Sequence, residues 1–165
     1  MNEKQANDLE SMNPMKVRYL LSETRWGAMM SERHLSILSE YLFSVDFPED
    51  DIVFESGEYD RFMCFLIWGE VEVYRASPKS LNERLGGVPG GRAFGHVSFF
   101  TGKMRSSTAV GKKGACLLIL RYQSFCVLKN THPDVAMNLM DIVIQDMAQY
   151  VGTELSILLD YVDGD

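Results

Sequence analysis

Asp51-Ile52-Val53-Phe54-Glu55-Ser56-Gly57-Glu58-Tyr59-Asp60-Arg61-Phe62-Met63-Cys64-Phe65-Leu66-Ile67-Trp68-Gly69-Glu70-Val71-Glu72-Val73-Tyr74 is the stretch on which the fold turns. Its β-branched and aromatic residues alternate with polar ones, or run together without a helical spacing. Residues with turn chemistry, Ser56-Gly57-Glu58 and Trp68-Gly69-Glu70, punctuate it. The pattern predicts short strands, Ile52–Phe54, Met63–Trp68 and Val71–Tyr74, joined by tight turns. Downstream, a polar loop over 75–83 leads to Gly86-Gly87-Val88-Pro89-Gly90-Gly91, whose glycines break regular structure. Further strands are predicted at 107–110 and 115–121, with Lys112 and Lys113 in a solvated turn between Gly111 and Gly114.

On either side the period changes from two to three and four. Leu35, Leu38, Leu42 and Val45 predict a helix over about 31–45, with Ser31 at its start and Phe47-Pro48 at its end. After His132-Pro133, the residues Val135, Leu139, Ile142, Val143, Met147, Tyr150 and Val151 mark one face of a long helix reaching about Tyr161. Residues 1–14 are polar and expected to be a disordered tail ended by Pro14. One domain over 15–165 is expected, with the strands over about 50–122 and C-terminal helices over about 124–161. The order predicts a mainly β protein: an antiparallel roll with an N-terminal helix and a long C-terminal one.

A chain of 165 residues that is 46% hydrophobic and 24% charged can build an ordinary core. Its net charge of −7 argues against a duplex-binding protein, whose affinity comes from phosphate neutralisation. The charge is unevenly placed. From Arg84 to Asn130 there are eight basic residues and no carboxylate, a segment of +8; subtracting it from −7 leaves −15 for the rest. A basic stretch inside an acidic chain points to a small anionic ligand or to solvated strand faces. Cys64, Cys116 and Cys126 sit in apolar runs without a CxxC pair, which predicts buried free thiols in a reducing compartment and no structural zinc. No run approaches the roughly 20 apolar residues of a membrane span, so a cytoplasmic location without membrane insertion is expected.

The runs Asp51–Asp60, Phe65–Tyr74, Phe94-Gly95-His96-Val97-Ser98-Phe99-Phe100 and Arg105-Ser106-Ser107 together resemble the cyclic nucleotide-binding domain over about 31–155. The resemblance implies a β-jelly roll with helices before and after it, and a cyclic AMP or cyclic GMP ligand with no further cofactor. It also implies a phosphate-binding cassette formed by Gly95, His96, Val97, Ser98, Arg105, Ser106 and Ser107. Arg105 is the expected phosphate ligand, because a guanidinium fork gives charge-assisted bonds to a phosphate. Ser106 and Ser107 offer further donors, and Gly95 lets the backbone approach without a Cβ. His96 departs from the family, which usually has a glutamate there to accept a hydrogen bond from the ribose 2′-hydroxyl. Imidazole can accept one bond but carries no fixed negative charge. The run Phe99–Ser106 also resembles the cassette of such domains appended to sulfate-permease-like proteins.

Catalysis has no foothold: there is no GxSxG, no HExxH and no suggestive Cys/His pair. Three dispersed histidines make neither a metal centre nor a cupin-type enzyme. Thr101-Gly102-Lys103-Met104 lacks the ending of a P-loop. Two readings stand. One is a regulatory module that relays nucleotide occupancy through its C-terminal helix. The other is a degenerate, ligand-free interaction or dimerisation domain of a larger regulatory or transport protein. With the chain ending at Asp165 soon after the long helix, output is expected through a partner, self-association through that helix, or a longer parent polypeptide.

Overall fold

The computed structural model of the protein describes residues 13–77 and 80–162; the expected tail at 1–12 lies outside the described residues. Asn13 and Pro14, also assigned to that tail, open the first helix. Pro14 takes the first position of α1 (Pro14–Ser22) and the Asn13 side chain accepts from the Met15 N–H, a cap suited to a residue without its own N–H. After a 3-10 turn at Gly27–Met29 comes α2 (Glu32–Ser39), whose N-cap Ser31 accepts from the His34 N–H at 3.2 Å.

The strands are β1 (Leu42–Phe47), β2 (Asp51–Phe54), β3 (Phe62–Ser77), β4 (Ser80–Val88), β5 (Ala93–Phe94) and β6 (Thr108–Arg121). The short helix α3 (His96–Thr101) falls between β5 and β6, and α4 (Tyr122–Thr131) and α5 (Pro133–Val162) come after them. All pairings are antiparallel. The order is β1-β6-β3-β4, with β2 also on β6 and β5 on β3. This is the expected antiparallel roll between N- and C-terminal helices.

Several expected boundaries move, each for a physical reason. The helix predicted to reach Val45 stops at Ser39, and Leu42–Phe47 pairs with Ala115–Leu120 as β1. Leu42 and Val45 continue the helical spacing of Leu35 and Leu38. Phe43, Val45 and Phe47 nonetheless also alternate, and that face packs inside the roll. Pairing along β6 therefore overrides local helical preference. The polar loop expected over 75–83 is instead the end of β3 and the start of β4, and its residues 78–79 lie outside the described residues. Gly86 and Gly87, expected in a loop, pair with Val73 and Glu72 inside β4.

The predicted turns at Trp68-Gly69-Glu70 and at Lys112-Lys113 are two sides of one bulge. Ala115 pairs with Gly69 and Lys112 with Glu70, so Lys113 and Gly114 have no opposite number. Gly69, Lys113 and Gly114 all have positive φ, the signature of a turn, here spent on bending two long strands without interrupting them. Gly57 does lie in a turn, between β2 and β3, with φ +88°.

β3 and β6 explain why their cores read as continuous apolar runs. Met63, Phe65, Leu118 and Leu120 face a cluster with the helices, including Leu35, Leu128, Leu139 and Ile142. Phe62, Cys64, Leu66, Leu117 and Ile119 face the interior of the roll with Phe47 and Phe94. Both faces are covered, so alternation disappears. Cys64 and Cys116 are buried free thiols, whereas Cys126 is half-buried. Burial pushes the Cys64 thiol up to about 12, which leaves it unreactive. On α5, Val135, Leu139, Ile142 and Val143 are buried as expected, but Val151 is exposed; the Tyr150 side chain lies outside the described residues. No described helix is long and apolar enough to cross a membrane.

Candidate functional site

Gly95, His96, Val97, Ser98, Arg105, Ser106 and Ser107 all line one cavity of about 250 Å³. The cavity lies among β4, the β5–α3 segment, the loop leading into β6, and α5. Its other walls include Phe54, Val73, Leu85, Val88, Phe94 and Met147, so an apolar surface faces a small polar cluster, the usual make-up of a small-molecule site.

Gly95 starts the cluster. Its φ of +75° turns the chain from β5 into α3, and a Cβ there would stand 2.8 Å from Arg105 Nη1. Glycine thus serves both the left-handed backbone and the close approach of the guanidinium. Arg105 lies in the loop after α3, fixed by its own backbone: its N–H donates to Glu58 O at 2.9 Å, and its carbonyl accepts from Gly57 N at 2.8 Å. The residue is 3% exposed. Nη1 donates to Gly95 O at 2.9 Å and to Ser98 Oγ at 2.5 Å, and Nη2 donates to Phe62 O at 2.7 Å. The guanidinium lies over the Phe54 and Phe62 rings, 4.0 and 4.4 Å from their centroids. Nε is buried without a hydrogen-bond partner.

The ion pairs locate the uneven charge of the sequence. Four of the eight basic residues in the acid-free segment meet carboxylates from outside it: Arg84 with Glu72 at 2.6 Å, Arg92 with Asp146 at 3.4 Å, Lys113 with Glu70 at 3.1 Å, and Lys112 with Asp50. Arg105, the most buried, has no carboxylate within ion-pair distance among the described residues. Burial lowers its pKa, partly opposed by the charges of Asp60 and Glu58, yet a guanidinium stays charged at neutral pH. A buried cation without an adjacent counter-ion is costly, and an entering anion relieves that cost.

His96 is half-buried, and burial lowers its pKa from the ordinary 6.5, with Asp146 pulling the other way. The folded protein then resists protonation that the unfolded chain accepts. Its stability is complete above about pH 6.5 and falls as pH drops below that value. Chemical denaturation at pH 5.5 and 7.5 is expected to show this loss, and His96→Gln to remove part of it; an unchanged pH dependence in the variant would count against a buried, neutral imidazole.

Ser98 is buried beneath Arg105, and its Oγ also reaches Gly95 O at 3.3 Å. Val97 and Ser106 are exposed and Ser107 is half-buried. Aromatic contacts tie the cassette helix α3 to α4. Phe99 packs against Phe100, Tyr122 and Phe125 with centroids 4.9, 5.5 and 5.5 Å away. Arg61 donates to Phe99 O at 2.9 Å and stacks 3.3 Å from the Tyr122 centroid. The two helices therefore share a rigid aromatic joint.

The profile of the cyclic nucleotide-binding domain matches residues 44–132, which takes in the strands, Gly95, Arg105 and α4. The chain belongs to the cyclic nucleotide-binding domain family. No curated protein matches it in sequence. Among solved structures, a cyclic nucleotide-binding domain from Methylobacillus flagellatus KT is 18% identical, with a TM-score of 0.75 over 88% of this chain and 82% of that one. The Thermus thermophilus catabolite activator protein is 21% identical, with a TM-score of 0.65 over 84% of this chain and 62% of that one. The regulatory subunit of a cAMP-independent protein kinase A from Trypanosoma brucei is 14% identical, with a TM-score of 0.68 over 86% of this chain and 53% of that one. At such identities the likeness is one of fold.

Among the members of this cyclic nucleotide-binding domain's cavity that sequence reasoning missed are two charged ones, Arg92 and Asp146. Asp146 carried a signal: it comes after Leu139, Ile142 and Val143 on the buried face of α5, where a carboxylate interrupts an apolar stripe.

Proposed function

We propose that the protein is a regulatory module that binds cyclic AMP or cyclic GMP in this cavity and relays occupancy through α5. The observation that carries the reading is Arg105, a buried guanidinium with no carboxylate within ion-pair distance among the described residues, beside Ser106 and Ser107 in a pocket with a largely apolar wall. The cyclic phosphate sits against Arg105 and the serines, and the base lies on the apolar wall of Val73, Leu85 and Met147. Because α5 supplies part of that wall, a ligand that contacts it favours one helix position over another, which is the thermodynamic requirement for a relay. Free, buried Cys64 and Cys116 suit a reducing, cytoplasmic setting. The run Phe99–Ser106 makes a sulfate-permease-like parent one setting for such a module.

A second reading, a ligand-free dimerisation domain, is favoured by Met137, Ile144 and Val151. They are seven residues apart along α5 and each more than half exposed, the spacing of a coiled-coil seam. Thermal unfolding with added nucleotide separates the two. A binding module melts several degrees higher once cyclic AMP or cyclic GMP exceeds its Kd about 100-fold. An interaction domain shows no shift with either nucleotide and instead forms a dimer whose population rises with protein concentration.

A further inference from the structure

Asp146 is the carboxylate of the cavity. Its side chain is 11% exposed and its Oδ1 is buried without a hydrogen-bond partner. A buried acceptor left without a donor is costly and uncommon, so it calls for an explanation. Arg92 Nη1 stands 3.4 Å from that oxygen, an ion pair that falls short of a good hydrogen bond. Behind it, Asp146 and Trp26 also line a second cavity of about 50 Å³, and Trp26 Nε1 is likewise buried without a partner. One water would fit there and satisfy the indole. A carboxylate accepts about four hydrogen bonds, so such a water leaves capacity for a donor arriving from the larger cavity.

The larger cavity is thus polarised. Arg105 and the serines lie in the cassette, whereas Asp146 enters from α5 and lines the same cavity as His96, whose charge it acts on and which lacks a fixed negative charge of its own. The segment from Arg84 to Asn130 contains no carboxylate at all, and the carboxylate that does line the cavity is brought to it by another element, α5. We infer that Asp146 accepts a hydrogen bond from a ligand hydroxyl, in a cyclic nucleotide the ribose 2′-hydroxyl. The inference rests on the cyclic-nucleotide reading of the site. Its consequence is mechanical: an acceptor carried on α5 makes hydroxyl recognition and helix position one event.

The test compares cyclic AMP with 2′-deoxy cyclic AMP by calorimetry on the full chain. The wild type is expected to prefer the hydroxylated ligand about 10- to 100-fold, the range for a hydrogen bond to a charged group. Asp146→Ala should bring the preference to within about threefold of unity. Asp146→Asn keeps the shape and one neutral acceptor, and should fall between, because a charge-assisted bond is about twice as strong as a neutral one. A preference equal to wild type in whichever variant folds overturns the inference and leaves the cyclic-nucleotide reading intact. Binding of neither ligand by the wild type overturns both.

Discussion

Arg105→Ala is expected to reduce cyclic AMP and cyclic GMP binding at least about 100-fold and also to destabilise the fold. The two effects share one cause. The guanidinium is the cation of the cavity, and it also ties together three segments by donating to Gly95 O, Ser98 Oγ and Phe62 O. Its removal takes a donor from two carbonyl oxygens and a hydroxyl in a buried place, at up to about 1–3 kcal/mol each, less at Gly95 O and Ser98 Oγ, which keep their bond to each other at 3.3 Å. Relief of the desolvated charge offsets part of that. The net loss is about 2–4 kcal/mol, seen as a melting temperature roughly 5–15 °C lower for a chain of this size. Arg105→Lys should keep a positive charge but lose the fork, so it recovers part of the binding and little of the stability. Urea denaturation and calorimetry measure the two quantities separately. A variant as stable as wild type would show that the three contacts do not hold the cassette.

Gly69→Ala is expected to cost at least about 3 kcal/mol, the largest loss for the addition of a single methyl group. At φ +97° an alanine is strained, at roughly 1–3 kcal/mol. Its Cβ would also fall 2.1 Å from Gly114 O and 2.7 Å from Ala115 Cα, both backbone atoms of the facing strand. Neither can retreat without opening the β3–β6 ladder. Gly57 provides the control: its φ is +88°, but a Cβ there meets nothing within 4 Å. Gly57→Ala should therefore show the strain alone, and equal losses at the two positions would contradict the close approach at the bulge.

Those two glycines mark where sequence and structure part. Both fall among turn residues between apolar runs, and composition cannot tell a hairpin from a bulge that lets one strand continue. The difference is set by the partner strand, where Lys113 and Gly114 adopt the matching positive φ. Leu42–Phe47 posed the same problem in another form, since its apolar residues satisfy both a helical and an alternating spacing and only the pairing with β6 decides. The residues from Gly95 to Ser107 that line the cavity were legible through a family resemblance, because they are close in sequence and a short run carries the likeness. Asp146 was not, because it lies 39 residues beyond Ser107, on a separate helix, and shows itself only as a charge on an apolar face.

The most direct measurement is a calorimetric titration of the full chain with cyclic AMP and with cyclic GMP, beside Arg105→Lys. A cavity built around a buried guanidinium predicts saturable heat at one ligand per chain for at least one nucleotide, weakened in the variant. A folded wild type that takes up neither nucleotide would contradict it.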